Sequence, residues 1–192
     1  MAFILQSLGR TVTAGVVLLV IILAAMGGFG SAALHSVGIR WLHVVSGVLW
    51  IGLLWYFNFV QIPSMPKIPD EHKPAIGKVI APEALFWFRW AALATVVTGV
   101  VVALAGNYLV QALSFQAGVR TIGVGMWLAI IMAINVWFII WPNQKKALGI
   151  VTVEAAEKAK AARVAMLTSR INTMFSFPML FCMIAQKSAI LG

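Results

Sequence analysis

The chain has 192 residues, of which 62% are hydrophobic and only 10% charged, with a mean hydropathy of +0.98. That composition excludes a soluble globular domain and marks an integral membrane protein. The formal net charge of +9 would suggest nucleic acid in a soluble protein. Here the Lys and Arg residues sit between apolar runs, where they orient the chain, so nucleic acid is set aside and the lipid bilayer is the expected partner.

Apolar runs of about 20 residues predict five transmembrane helices, over 12–32, 39–61, 84–106, 120–141 and 170–190, in a single all-α membrane domain covering 1–192. The first run resembles a signal-peptide core, with Arg10 before it and Gly30-Ser31-Ala32-Ala33 after it, but its apolar stretch is long and it reads as a retained helix. Counting basic residues puts the N-terminus and the 62–83 and 142–169 segments on one face, with Arg10, Lys67, Lys73, Lys78, Lys145, Lys146, Lys158, Lys160 and Arg163. The other face has Arg40, Arg120 and Lys187. The bias predicts a bacterial inner-membrane protein with a cytoplasmic N-terminus and a periplasmic C-terminus.

Pro63, Pro66, Pro69, Pro74 and Pro82, interspersed with Lys67, Asp70, Glu71, Lys73 and Lys78, predict an irregular cytoplasmic loop after the second helix. The segment from Val153 to Arg163 is instead rich in helix formers and has Glu154 and Lys158 at i,i+4 spacing. It predicts a cytoplasmic amphipathic helix that leads into the last span, with a bend near Pro178. Trp41, Trp87, Trp90 and Trp141 fall near predicted boundaries as interfacial anchors, whereas Trp50, Trp127 and Trp137 lie deeper, packed against a helix or a cofactor ring.

On the second helix, positions 43, 46, 47, 50, 54, 57, 58 and 61 share one face at helical spacing. His43, Ser46, Trp50, Asn58 and Gln61 make that face a polar stripe, which should meet protein and not lipid. Gly47 and Gly52 predict close approach of a neighbouring helix or a flat ring. His43 therefore has two readings: a histidine hydrogen-bonded to a neighbouring helix, or an axial ligand of a non-covalent b-type haem. For the second, His35 in the short external loop, or Met26, supplies the other axial position, and Trp50 packs on the ring. His72 lies in the loop at the opposite side and reads as solvated.

Covalent haem attachment is excluded within this sequence, because its one cysteine, Cys182, leaves no Cys-x-x-Cys-His. At the cytoplasmic end, Asn58, Gln61, Arg89, Asn135 and Arg170 are candidates for a polar substrate pocket. Arg89 and Arg170 have the alternative of snorkelling to headgroups, and Asn135 that of bonding helices together.

Several blocks carry a resemblance: Arg40-Trp41-Leu42-His43; Trp50-Ile51-Gly52-Leu53-Leu54-Trp55-Tyr56-Phe57-Asn58-Phe59-Val60-Gln61; Pro82-Glu83-Ala84-Leu85-Phe86-Trp87-Phe88-Arg89-Trp90; Asn135-Val136-Trp137-Phe138-Ile139-Ile140-Trp141-Pro142-Asn143-Gln144; and Ser169-Arg170-Ile171-Asn172-Thr173. Over roughly residues 36–185 the chain resembles the membrane domain of bacterial membrane-bound urate oxidases, the PuuD-type urate hydroxylases. The resemblance implies a purine-catabolic oxidoreductase that oxidises urate and passes electrons to a cytochrome c domain. Since the sequence has no cytochrome c motif, a stand-alone form is expected that passes electrons from haem b near His43 to a separate cytochrome c. Guanidinium groups suit a urate-like anion or a quinone through paired donors. The competing expectation is a non-catalytic accessory subunit of a larger respiratory, photosynthetic or oxygenase complex.

Overall fold

The computed structural model describes residues 2–31 and 33–186, and these are helical with connecting turns. Four helices are long and apolar enough to cross a membrane: α1 (Leu8–Ala25), α2 (Leu34–Lys67), α3 (Lys73–Ala105) and, after the short α4 (Leu109–Leu113), α5 (Arg120–Ala147). The last helix is α6 (Ala155–Ala185), whose first turns are charged and whose second half is apolar. The protein is an all-α membrane bundle. The expected fifth span, 170–190, falls on the distal part of α6, which is not one of the four helices long and apolar enough to cross; α6 is continuous with the predicted surface helix and runs through Pro178. Residues 187–190 of that expectation, with Lys187, and Ala32 of the first one, lie outside the described residues.

The chain divides into two compact units, Met1–Ile39 and Arg40–Gly192. In the first, α1 is apolar beyond Arg10, Thr11 and Thr13 in its first two turns, and none of its residues is buried. Arg10 donates to the Phe3 carbonyl at 2.7 Å with its guanidinium 3.8 Å from the Phe3 ring.

In the second unit the proline-rich stretch differs most from expectation. It is not an open loop: α2 continues to Lys67 and α3 already begins at Lys73, eleven residues before the predicted start at 84. The physical reason lies in three widened turns. Tyr56–Gln61, Ile76–Ile80 and Asn135–Ile140 are π-helical, closed by i→i−5 bonds from the Ile62, Ala81 and Trp141 amides to the Phe57, Ile76 and Val136 carbonyls. Each of those amides belongs to the residue directly before a proline, namely Pro63, Pro82 and Pro142. Proline lacks the N–H for an i→i−4 bond and its ring collides with the carbonyl four residues back, a cost of about 3 kcal/mol in a regular helix. One extra residue in the preceding turn moves that carbonyl aside and the helix continues. Outside the spans, exposed Asp70 accepts a 2.6 Å hydrogen bond from Lys73, which holds its carboxyl below the usual carboxylate range.

The core is built from Trp50, Leu54 and Phe57 of α2, Leu85, Phe88 and Ala92 of α3, Met132, Val136 and Ile140 of α5, and Met179 of α6. On α2 the predicted stripe is the inward face: Trp50, Leu54 and Phe57 are buried and His43, Ser46, Gly47, Asn58 and Gln61 half-buried, while Leu42, Val44, Val45, Val48 and Leu49 are exposed. α6 turns Ala161, Ala165, Thr168, Ser169, Asn172, Ser176, Cys182 and Ala185 inward, a row of small and polar residues that lets α5 approach closely. At its far end the Gln186 side chain accepts from the Ile122 amide at 2.9 Å and donates to the Gly118 carbonyl at 2.6 Å, which ties α6 to the start of α5.

Close approach does not occur where both glycines of α2 predicted it. A Cβ on Gly47 would rest 3.8 Å from Thr95, but one on Gly52 would meet open space. The tightest position is Gly123, where a Cβ would collide with the Ala112 carbonyl oxygen. Gly123→Ala is expected to push α4 away and destabilise the protein by about 1–3 kcal/mol, the cost of an overpacked site. Thermal unfolding in detergent checks this, with Gly52→Ala expected to melt within a degree or two of the parent because it displaces nothing.

Candidate functional site

The polar groups separate along α2. His43 and Gln61 are 18 residues apart, roughly 25 Å at the usual rise, which is most of a bilayer core.

At one end, His43 Nδ1 lies 3.0 Å from the Thr95 carbonyl and 3.3 Å from Thr98 Oγ1, both on α3. The ring rests against Gly99, where a Cβ would come within 2.9 Å of Cε1. A carbonyl only accepts, so Nδ1 carries the proton and neutral His43 keeps its lone pair on Nε2. The bond satisfies the reading of His43 as an interhelical contact. It is also the bond that orients a metal-ligating imidazole, with one ring nitrogen anchored on the backbone and the other free.

The proposed second ligand His35 differs from expectation. It is not in a loop but in the first turn of α2, the helix that carries His43. Eight residues separate them, about 12 Å along one helix, so they cannot take the two axial positions of one iron. Met26, at the end of α1, is 80% exposed. Trp50 is fully buried in the core, its indole Nε1 without an acceptor, so its ring packs against helices. No group of three His, Cys, Asp or Glu among the described residues could hold a metal ion.

At the other end, the five residues expected to share a pocket take separate roles. Asn135 Nδ2 donates to Asn172 Oδ1 at 2.8 Å, and Asn172 Nδ2 donates to the Met132 carbonyl at 2.9 Å. Asn135 therefore joins α5 to α6, as its alternative reading held. Arg170 is exposed and points away from the core, because on α6 it is Ser169 and Asn172 that face inward. Asn58 Nδ2 is shared between the Leu54 carbonyl at 2.9 Å and Ser169 Oγ at 2.8 Å.

What remains is Arg89 with the outer oxygens of Asn58 and Gln61. The Arg89 guanidinium lies 3.9 Å from the Trp141 ring centroid and 5.4 Å from that of Phe86, and Lys145 Nζ is 5.7 Å from the same Trp141 ring. No carboxylate pairs with Arg89 among the described residues, and Glu83 accepts from Trp87 instead. Arg89 Nη1, Asn58 Oδ1 and Gln61 Oε1 are all shielded from solvent and find no hydrogen-bond partner among the described residues. Their helices meet at the edge-to-face pair of Phe57 and Phe88, with centroids 5.7 Å apart, the residues next to Asn58 and Arg89. Two cations on one indole, one of them with an unused buried N–H donor, suit an anion. Trp141, read from sequence as a boundary anchor, is the platform of this site; the signal for it was Lys145, one helical turn further on.

Fold and site together define a polytopic helical membrane protein with a histidine near one membrane boundary and a cation–aromatic site near the other. Residues 101–191 match the family model described as urate oxidase N-terminal, which supports the resemblance read from the sequence to a urate oxidase-like membrane protein. The matched stretch contains Asn135, Trp141, Arg170 and Asn172, whereas His43, Asn58, Gln61 and Arg89 precede it. Comparison with curated proteins and with solved structures finds no match.

Because Asn172 bridges two groups on α5, Asn172→Leu leaves the Asn135 side-chain amide without its acceptor and removes one of the bonds to the Met132 carbonyl, which also accepts from the Asn135 backbone N–H. It is expected to cost about 1–2 kcal/mol, measured by unfolding in mixed micelles. Arg170→Gln, at an exposed position, is expected to stay within about 0.5 kcal/mol of the parent.

Proposed function

We propose that this chain is a urate oxidase-like membrane oxidoreductase that binds a planar anionic substrate of the urate class at Arg89. The observation that carries this reading is the Arg89 guanidinium, stacked on Trp141 with Nη1 unpaired and no carboxylate partner among the described residues. An arginine left unpaired near the end of a helix bundle is costly unless an anion completes it. Urate matches in chemistry: its carbonyl edge takes the guanidinium donors. The flat indole of Trp141 fixes the guanidinium plane, so the anion is oriented before any electron leaves it.

Haem b, when bound, supplies one-electron redox chemistry. His43 Nε2 is the atom of this chain that would hold it, because Nδ1 is committed to the Thr95 carbonyl. Within one copy neither His35 nor Trp50 adds a second ligand. A separate cytochrome c is the proposed acceptor of the substrate's electrons. The concentration of Lys and Arg around the Arg89 end favours placing that end in the cytoplasm of a bacterial inner membrane.

A second reading is favoured by the bonds that consume His43, Asn135 and Asn172 in helix packing: a non-catalytic subunit of a larger membrane complex. Urate turnover by the purified protein, followed at the urate absorption band with cytochrome c or ferricyanide as acceptor, separates the two. Arg89→Gln is expected to lower kcat/KM for urate roughly 10- to 100-fold, the equivalent of about 1.5–3 kcal/mol for a charge-assisted hydrogen bond. No turnover with either acceptor, together with copurification in a large complex, would establish the second reading. For the haem, a Soret band that is lost in His43→Ala and retained in His35→Ala is expected. A colourless protein would remove haem from the proposal and leave the Arg89 site untouched.

A further inference from the structure

We propose that Lys160, Arg163 and Arg170, on the outer face of α6, hold the phosphate of an anionic phospholipid at the membrane boundary. The proposal is independent of substrate chemistry at Arg89 and of a haem at His43.

The depth of these residues follows from α5, which is long and apolar enough to cross a membrane. α6 runs antiparallel along it: Glu157 pairs with Lys146 at 2.6 Å, Asn172 accepts from Asn135 at 2.8 Å, and Gln186 donates to the Gly118 carbonyl at 2.6 Å, just before α5 begins. Arg163 is six residues beyond Glu157, and Trp141 five before Lys146, so both lie roughly 8–9 Å inward of that ion pair. Arg163 is therefore level with Trp141. Arg170, seven residues further, lies about 10 Å deeper, near the level of Asn135.

Arg163 and Arg170 share a helix face with exposed Leu167 between them, and exposed Met174, Phe177 and Phe181 continue that face inward. Such a face meets acyl chains, where an unpaired guanidinium is costly. Helical side chains lean toward the N-terminus of their helix, which for Arg170 is the direction of Arg163 and the boundary. The two guanidiniums thus approach one level, with exposed Lys160 about one turn further out. Among the described residues no carboxylate pairs with any of the three.

The chain itself cannot supply the missing anion. Its five acidic residues are Asp70, Glu71, Glu83, Glu154 and Glu157. Four already face a partner: Asp70 has Lys73, Glu71 has His72, Glu83 has Trp87 and Glu157 has Lys146. A second copy packed on this face would have only Glu154 to offer, which lies at the N-cap of α6, outward of the Glu157 pair. A lipid phosphate is present at the boundary of any bilayer and accepts paired guanidinium donors. Its tails have Leu167, Met174 and Phe177 to lie along. A headgroup with net negative charge is favoured over a zwitterionic one, whose own cation would face three uncompensated positive charges.

The test is native mass spectrometry of the full chain in detergent micelles. The parent is expected to retain phosphatidylglycerol at least fivefold better than phosphatidylcholine with the same tails. Arg163→Gln/Arg170→Gln, at exposed positions and checked for folding by thermal unfolding, is expected to weaken that retention about 10- to 25-fold, or about fivefold per charge. Arg163→Lys/Arg170→Lys keeps the charges and is expected to keep the preference. Lys67→Gln/Lys78→Gln removes two exposed cations of other helices and is expected to change retention less than twofold.

Equal retention of both lipids by the parent, or an equal loss in the Lys67/Lys78 variant, would show arginines that reach for headgroups without a site, and overturns the proposal. Displacement of the lipid by an equal concentration of glycerol 1-phosphate overturns it in favour of a soluble phosphate. A copurifying protein that is lost from Arg163→Gln/Arg170→Gln overturns it in favour of an acidic protein partner. The comparison of lipids on the parent needs no substitution, so it decides the proposal even where a variant fails to fold.

Discussion

A backbone carbonyl in hydrocarbon has no water to bond, and each one freed from the helical ladder must find a donor within the protein. This constraint organises the bundle because prolines 63, 82 and 142 interrupt the ladder in all three long spans of the second unit. The turn before each proline widens, and side-chain amides add bonds to carbonyls in or beside two of these turns: Asn58 to Leu54, Asn143 to Ile139 and Asn172 to Met132. Asn58 and Asn172 also reach across to another helix, through Ser169 and Asn135.

That use of amides decides how little polar chemistry is left for a ligand. A group bonded to a carbonyl in low dielectric is not free to leave it for a substrate, since the carbonyl would then be orphaned at about 1–3 kcal/mol. Asn135 and Asn172 belong to the scaffold on this argument, and so does the amide nitrogen of Asn58. Arg89, Gln61 and the Asn58 oxygen are outside that exchange. The guanidinium is retained near the membrane boundary by Trp141, whose ring face substitutes for some of the lost hydration. A cation held in this way, with no acidic partner among the described residues, is what the proposed anion site rests on.

Helical period, the positions of the apolar runs and the basic residues were legible in the sequence. They gave the α2 stripe from His43 to Gln61, its inward orientation, and the membrane class. The start of α3 was not legible, because proline normally signals a break. Only the neighbouring π-turns, with Pro74 at a helix start where its missing N–H is harmless, show why the chain stays helical there. Glu154 and Lys158 looked paired by spacing, yet the ion pair that forms is Lys146 with Glu157 at 2.6 Å, across from α5 to α6.

By itself the sequence determined that this is a helical membrane protein with a histidine at one end of a polar helix face and arginines at the other. Burial in lipid depends on composition and period, which are properties of the chain alone. Which arginine faces inward, which asparagines are spent on carbonyls, and that His43 presents Nε2 were decided by tertiary structure. Those outcomes depend on which group of another helix lies within about 3 Å, and single-chain periodicity has no record of a neighbour.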